Sequence, residues 1–210
     1  ICACLVGSEM CIRDRKKGEN EVIVFDIIGP KEVKSEGLSE PLLDQLLVTK
    51  PLTHRNEGEN LDLSGEQPVL SGSFNPGNGW QERKFDQPVT GRYVCLEALS
   101  AQDGKDLACI AEMYLLDENG ERLSREPWIV NYADSEDVSH VNCSADKIFD
   151  LQESTYWSTT KDTPYPHSVV IDLGSTRTLT GIQYLPRMES EVPGGIKDFK
   201  VYVKSKAFNY

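Results

Sequence analysis

The stretch from residue 150 to residue 203 is the part of the sequence that most constrains the fold. It contains three short runs of apolar and β-branched residues, at 168–174, 181–187 and 195–203. Glycine, proline, serine and threonine separate these runs from one another. Short apolar runs with such punctuation are typical of successive antiparallel strands in a sandwich. The sequence therefore predicts an all-β protein.

The charge of the chain limits the partners it can bind. Its 210 residues carry a formal net charge of −12, and an acidic surface repels the phosphates of nucleic acids and of anionic membranes. No run approaches the roughly 18 apolar residues that a membrane span requires. A neutral partner such as a sugar is compatible with this charge. We therefore expect neither nucleic-acid binding nor membrane insertion.

Four spaced motifs in the second half of the chain resemble a known domain family. They are D-x-x-x-x-T-x-W at 150–157, I-D-L-G at 171–174, G-I-x-Y-L-P-R at 181–187 and I-K-D-F-x-V-Y-V at 196–203. In this order they resemble the first half of the coagulation factor 5/8 type C (discoidin) family, over residues 127–203. The resemblance implies a galactose-binding-like jelly-roll β-sandwich, a fold that is also used as a carbohydrate-binding module.

The motifs G-S-F at 72–74, F-x-x-P-V at 85–89, R-Y-V at 92–94 and I-A-E at 110–112 follow one another before residue 117. In this order residues 69–116 resemble the second half of the same family, although they precede the first half in the chain. Two arrangements fit this order: two truncated domains, or one circularly permuted sandwich. About 48 residues bury too little apolar surface to fold alone, and about 80 residues would leave two open sheet edges. We therefore favour one permuted discoidin-like domain over 67–210. In that domain, residues 117–126 join the natural ends of the family's fold.

The chain before residue 67 divides into three segments. Residues 1–14 lack the pattern of a signal peptide and resemble a translated sequencing-library adapter, so we interpret them as no part of the natural protein. Residues 17–26, K-G-E-N-E-V-I-V-F-D, resemble the last strands of the C-terminal β-domain of glycoside hydrolase family 35 β-galactosidases. A generic β-strand is the alternative. We assign 15–48 to the tail of that β-domain and 49–66 to a linker.

The second resemblance implies a parent enzyme that hydrolyses terminal β-galactosides with retention. In that family the catalytic residues belong to an N-terminal (β/α)8 barrel. Glycoside hydrolysis needs two carboxylates on opposite sides of the scissile bond, and no motif in this sequence places such a pair. We therefore expect a C-terminal fragment without catalytic activity. We also expect a bacterial periplasmic or extracellular protein whose signal peptide precedes the fragment.

Three roles remain open for the sandwich itself. The first role is a structural element that braces the enzyme, the second is a carbohydrate-binding module, and the third is an independent hydrolase. A different parent, such as another glycan-degrading enzyme or a cell-surface adhesion protein, also fits. Because the sugar and calcium motifs are both incomplete, the sequence slightly favours the structural role.

Asp150, Thr155 and Glu112 are the candidate ligands of a cation. The resemblance implies that a D-G-D-x-x-T-x-W loop and the A-E of the last strand hold a structural calcium ion. Carboxylate, hydroxyl and carbonyl oxygens suit that hard ion. In this sequence Leu151 replaces the glycine and Gln152 replaces the second aspartate. A hydrogen-bonded turn without metal is therefore the alternative.

Arg187, His140 and Trp80 are the candidate sugar-binding residues. Arg187 matches an arginine that, by the resemblance, donates to galactose-type hydroxyls, and a planar guanidinium suits paired acceptors. The family's assisting asparagine is missing from the following loop, so an ion pair with a carboxylate such as Asp198, which would brace the loop, is the alternative. His140 lies in a loop at the predicted ligand-binding end, and plain surface placement is its alternative. Trp80 could stack on a sugar face or pack under a hairpin.

The cysteines after residue 14 are Cys95, Cys109 and Cys143. Their odd number and the absence of C-x-x-C spacing indicate neither a zinc site nor a complete disulfide framework. Cys95 and Cys109 can pair only if their strands are neighbours. Buried free thiols are the favoured alternative, because free cysteine packs as a small apolar residue. Trp157 is predicted to lie in the core.

Overall fold

The structure is a computed structural model that describes residues 2–3, 12–13, 60–189 and 192–210. The chain divides into two units, residues 1–49 and residues 50–210. In the first unit the described residues are two short antiparallel strands, β1 (Cys2–Ala3) and β2 (Ile12–Arg13). The rest of the predicted adapter segment and all of the predicted β-galactosidase tail, 15–48, lie outside the described residues.

The described part of the second unit is built from strands and one turn of 3-10 helix. In chain order the elements are β3 (Leu70–Ser73), β4 (Gln81–Ala98), β5 (Cys109–Ile110), β6 (Glu112–Leu116), β7 (Ile129–Ala133), the 3-10 helix (Ala145–Phe149), β8 (Trp157–Ser158), β9 (His167–Leu185) and β10 (Asp198–Lys204). The predicted all-β class is confirmed. Within the described ranges, no helix has the length and apolar character needed to span a membrane.

Six of these strands form one antiparallel sheet in the order β3-β10-β4-β9-β6, with β7 also paired to β9. β4 and β9 are long, at 18 and 19 residues, and their pairing shifts register twice, between Lys84 and Val89 and between Gly91 and Tyr93. Such irregularities bend and twist a strand. One half of β9 therefore lies between β4 and β7, and the other half lies between β4 and β6.

The two halves of the bent sheet enclose the main core. Alternate residues of β4 and β9 point inward, including Val94, Leu96, Val169 and Ile171. They share one buried cluster with residues from the other half of the sheet, namely Met113, Leu115, Ile182 and Tyr184. Trp157 belongs to the same cluster and is 1% exposed, which confirms its predicted core position. The result is the predicted discoidin-like sandwich.

A second, smaller cluster covers the reverse face of the sheet. It contains Cys95, Val170 and Tyr202, whose neighbours in sequence point into the main core, together with Tyr132 and Phe208. Leu61 and Leu63 pack against this cluster, and the Asp62 N–H donates to the Asn209 carbonyl at 2.9 Å. Residues 60–63, which the sequence assigns to a linker, are therefore part of the folded unit.

Strands from both sides of Gly120 pair directly. In β4, Tyr93 lies opposite Asp172 of β9 and Lys204 of β10, and Cys95 lies opposite Tyr202. Strands from 69–116 and strands from 127–203 therefore share one antiparallel sheet, and the circular permutation of a single domain over 67–210 stays a prediction. Between them, the Asp117 carboxylate accepts backbone N–H groups at 2.8 and 2.9 Å in a tight turn, and Gly120 adopts a φ of 79° there.

The suggested pairing of Cys95 with Cys109 is wrong. Cys109 lies in β5, which pairs with β8 rather than with β4, and Cys95 faces the reverse side of the main sheet. Cys95, Cys109 and Cys143 are all buried and free. Burial raises the pKa of all three thiols, that of Cys109 to about 11. The three residues therefore pack as small apolar side chains, the alternative that the sequence favours.

Candidate functional site

Glu112, Asp150 and Thr155, the three predicted cation ligands, come together at one end of the sandwich. Glu112 begins β6 and is 1% exposed, and Asp150 follows the 3-10 helix that packs on β6. The Asp150 carboxylate accepts the Thr155 hydroxyl at 2.7 Å and the Gln152 N–H at 3.0 Å. Leu151 adopts a φ of 68° in this turn, where the family's glycine would be free of strain. The hydrogen-bonded turn that the sequence offers as an alternative is therefore present.

Each of the two carboxylates at this end has a basic side chain beside it. The Arg125 guanidinium forms an ion pair with Glu112, and the two side chains are 3% and 1% exposed. The Lys147 ammonium lies 3.6 Å from Asp150 Oδ2. Burial raises the pKa of Glu112, Arg125 opposes that rise, and the charge of Asp150 adds to it. Asp150 is therefore close enough for its charge to act on Glu112.

These residues do not fit a calcium ion. Calcium takes six to eight oxygen ligands, several of them carboxylates whose charge it neutralises. Here Arg125 and Lys147 already balance the charges of Glu112 and Asp150, and both would repel a divalent cation. In the described ranges, no group of three or more His, Cys, Asp or Glu side chains is arranged to hold a metal.

Arg187 follows β9 and lines a cleft of about 680 Å³. Its guanidinium lies 4.0 Å over the ring of Tyr156 and forms an ion pair with Glu189, and its side chain is 20% exposed. Burial raises the pKa of Tyr156, and the charge of Arg187 opposes that rise. The alternative of an ion pair with a carboxylate is therefore present, but the partner is Glu189 and not the suggested Asp198, which accepts the hydroxyls of two serines at 2.6 and 2.7 Å.

The cleft combines charged groups of both signs with a small apolar surface. Its other lining residues are Gly104, Lys105, Asp106, Leu107, Lys161, Asp162, Glu189 and Pro193. Lysine and arginine donate hydrogen bonds, and carboxylates accept them. The lining can therefore bind a ligand whose hydroxyl groups both donate and accept.

His140 and Trp80 do not line this cleft. His140 is exposed, as its alternative predicts. Trp80 donates its indole N–H to Glu153 at 3.1 Å, and its ring packs near Tyr114 with the Arg122 guanidinium 4.5 Å above it. Arg122 therefore covers one face of the ring that a sugar would need for stacking. Of the three predicted sugar-binding residues, the structure places Arg187 alone in the cleft.

Several residues in and around the cleft escape sequence reasoning. Tyr156 directly precedes the buried Trp157 of β8 and contacts Arg187 from outside the cleft lining. Lys105 and Asp106 form one K-D dipeptide in a turn, and Lys161 and Asp162 form a second. The repeated dipeptide is the one available signal. It is weak, because charged dipeptides are common in exposed turns.

Comparison with known proteins supports the fold assignment for the second half of the chain. The family model of the F5/8 type C domain matches residues 131–210. A sialidase of Micromonospora viridifaciens is 36% identical over 73 residues, which is 33% of this chain and 11% of that protein. A galactose oxidase of Gibberella zeae is 28% identical over 91 residues, which is 43% of this chain and 13% of that protein. The resemblance to the F5/8 type C family is thereby confirmed over residues 131–210, and the matched part of the chain spans little more than a tenth of these relatives.

Proposed function

We propose that this F5/8 type C sandwich is a non-catalytic carbohydrate-binding module and that sugar docks in the cleft around Arg187. The observation that carries the proposal is the Arg187 guanidinium, which lines the cleft, lies 4.0 Å over the Tyr156 ring and forms an ion pair with Glu189. A guanidinium held by such contacts can donate to two neighbouring hydroxyls with little further loss of rotamer entropy. Neutral sugars also suit a chain with a net charge of −12.

The charges of the cleft favour a neutral sugar over an ionic ligand. Lys105, Lys161 and Arg187 are matched by Asp106, Asp162 and Glu189, so the lining residues carry no net charge. Sugar hydroxyls donate to the carboxylates and accept from the cations, and the side chains of Leu107 and Pro193 offer apolar contact to the ring face. We propose a galactoside-type carbohydrate as the ligand class.

We further propose that the parent protein is a bacterial β-galactosidase that acts in the periplasm or outside the cell. The resemblance of residues 17–26 to the β-domain of family 35 supports this parent. The two similar proteins are named sialidase and galactose oxidase, which agrees with a domain attached to enzymes that act on sugars. The fragment itself would not hydrolyse a chromogenic galactoside. An upstream reading frame that encodes no (β/α)8 barrel would contradict this parent.

Titration of the purified chain with galactose and lactose tests the sugar site. Isothermal calorimetry or NMR is expected to show saturable binding in the millimolar range, and Arg187→Ala is expected to abolish it. Arg177→Ala is the matched control, because Arg177 is an exposed arginine outside the Arg187 cleft. Absence of binding at tens of millimolar sugar, or equal binding by Arg187→Ala, would contradict the proposal.

A structural role within the parent enzyme is the second candidate. One observation favours it: Glu189 already binds the Arg187 guanidinium, so a sugar would have to compete with that ion pair. Under this role, deletion of the sandwich from the full enzyme lowers its melting temperature and leaves the KM for galactosides unchanged. Under the sugar-binding role, the same deletion weakens binding to galactose-containing polymers.

A further inference from the structure

We infer that the Arg125 guanidinium takes the place of a structural cation between β6 and the 150–155 loop, so that this sandwich assembles without calcium. Glu112 begins β6, and Asp150 directly follows the 3-10 helix that packs on β6. Each of these two carboxylates has a basic side chain of this chain beside it instead of a shared divalent ion.

Arg125 is fixed in this position from several directions. Besides its ion pair with Glu112, it donates to the Met113 carbonyl at 3.1 Å and to the Tyr114 hydroxyl at 2.8 Å. Its guanidinium also lies 3.7 Å over the Tyr114 ring. A buried guanidinium with this many fixed contacts is part of the core and does not move aside for an ion.

Glu112 and Asp150 each have a positive partner without a metal. Neighbouring buried carboxylates repel each other and are stabilised by positive charges beside them. Arg125 and Lys147 bring two positive charges, the same number that one divalent ion would bring, and Lys147 also lies 3.8 Å from Asp146.

The order of the strands explains why an arginine reaches this position. Arg125 lies in the segment that joins β6 to β7, thirteen residues after Glu112. The Leu123 N–H donates to the Leu115 carbonyl at 2.9 Å and turns this segment back along β6. The connection created by the swapped order of the two halves therefore carries the guanidinium to Glu112.

One of the two Glu112 carboxylate oxygens lacks a hydrogen bond. Glu112 Oε1 is buried and has no hydrogen-bond donor among the described residues. Without Arg125, Glu112 would lose its positive partner, and Lys147 beside Asp150 would be left with two carboxylates, so a calcium ion could replace the missing positive charge. Removal of Arg125 is therefore expected to create a requirement for calcium that the unaltered chain does not have.

Thermal unfolding of the full chain in EDTA and in millimolar CaCl2 tests the inference directly. The melting temperature of the unaltered chain is expected to be the same in both. A rise of several degrees in calcium, reversed by EDTA, would overturn the inference, and this comparison needs no variant.

Two variants sharpen the test. Arg125→Ala is expected to melt lower than the unaltered chain in EDTA and to recover several degrees in CaCl2 but not in KCl of equal ionic strength. The double variant Glu112→Gln with Arg125→Met removes both charges of the pair and is expected to show no response to calcium. If Arg125→Ala is equally unstable, or unfolded, with and without calcium, the idea that Arg125 substitutes for a cation is overturned.

Discussion

At the scale of single residues, the buried charges of this protein are neutralised by partners that are distant in the sequence. Asp172 receives two hydrogen bonds from the Arg92 guanidinium, at 2.6 and 2.8 Å, and a third from the Gly174 N–H. His167 is fully buried and contacts Asp134 through Nδ1 at 2.7 Å. Because a buried charge without a partner is costly, each of these contacts fixes the position of the strand that carries it.

The Arg92–Asp172 pair is expected to control stability in acid. Burial raises the pKa of Asp172, but the Arg92 and Gly174 contacts outweigh this and lower the pKa below its ordinary value. A lowered folded-state pKa stabilises the protein above the ordinary value, about 3.9, and the stabilisation is lost as the pH falls through the folded pKa. Arg92→Met is therefore expected to move the midpoint of acid unfolding, followed by circular dichroism, to higher pH.

The exposed Arg177 provides the control for this measurement. Arg177→Met removes one positive charge, as Arg92→Met does, but leaves the Arg92–Asp172 ion pair intact. An acid midpoint that is equal for the two variants would show that the Arg92–Asp172 pair contributes nothing.

Cys109 is expected to resist alkylation in the folded protein. Burial raises the pKa of its thiol to about 11. Roughly one thousandth of such a thiol is ionised at a pH of about 8, and the thiolate is the reactive form. Iodoacetamide labelling followed by peptide mass spectrometry is expected to modify Cys109 only after addition of urea. Modification in native buffer at the rate of an exposed cysteine would contradict the buried position.

At the scale of elements, the bend in β4 and β9 makes the sandwich. The bend lies where the β4–β9 pairing shifts register. Gly91 and Gly181 lie close to these shifts, where neighbouring strands come too near for a side chain. A Cβ on Gly181 would lie 2.7 Å from the Arg83 carbonyl oxygen, and a Cβ on Gly91 would lie 2.5 Å from a Val203 methyl. These distances leave no room for a side chain between the paired strands.

Gly181→Ala is therefore expected to destabilise the protein. The clash is with backbone, which cannot move without disturbing the pairing of β4 with β9, and overpacking of this kind costs about 1–3 kcal/mol. Urea unfolding followed by fluorescence measures the change. Gly79→Ala is the matched control, since a Cβ there meets nothing within 4 Å, and it is expected to change the stability far less. Equal effects of the two substitutions would contradict the close approach.

At the scale of the whole second unit, residues 61–63 meet residues 208–210 on the reverse face of the sheet. Asp62 pairs with Asn209, and Leu61 and Phe208 belong to the same apolar cluster. The turn at Gly120 is exposed. Chains with adjacent ends and an exposed turn tolerate circular permutation.

A circular permutant tests the swapped order directly. The permutant begins after Gly120, joins Tyr210 to residue 60 through a short Gly-Ser linker, and ends at Gly120, which restores the order of halves that the family resemblance implies. It is expected to fold with a melting temperature within a few degrees of the original, because every strand pair is retained. A permutant that shows no cooperative thermal transition by circular dichroism would contradict the proposed arrangement.

The sequence predicts the strands well because their signal is local. The apolar runs at 168–174 and 196–203 coincide with parts of β9 and β10, and the burial of Trp157 follows from its apolar bulk. The pairing of the two halves was also predictable, since neither half can bury its sheet edges alone. Thus the all-β class and the single body of 69–116 with 127–203 follow from the sequence.

The contacts of the functional side chains depend on tertiary structure. The sequence brings Glu112 to Asp150 by family resemblance, but nothing local indicates that Arg125 stands beside Glu112. Likewise, the partner of Arg187 is Glu189 rather than Asp198, because Asp198 is held by two serine hydroxyls. Side-chain pairs of this kind depend on which loops are neighbours at the end of the sandwich. The bends in β4 and β9 determine which loops those are.

The strands, their alternation and the need for the two halves to combine can be predicted from the linear chain, because hydrophobic burial and backbone pairing act on patterns that the chain already contains. Which charges neutralise one another depends on the folded structure, because an ion pair forms between atoms a few ångströms apart whatever their separation along the chain. The Arg125–Glu112 pair and the Tyr156 support of Arg187 are contacts of this second kind.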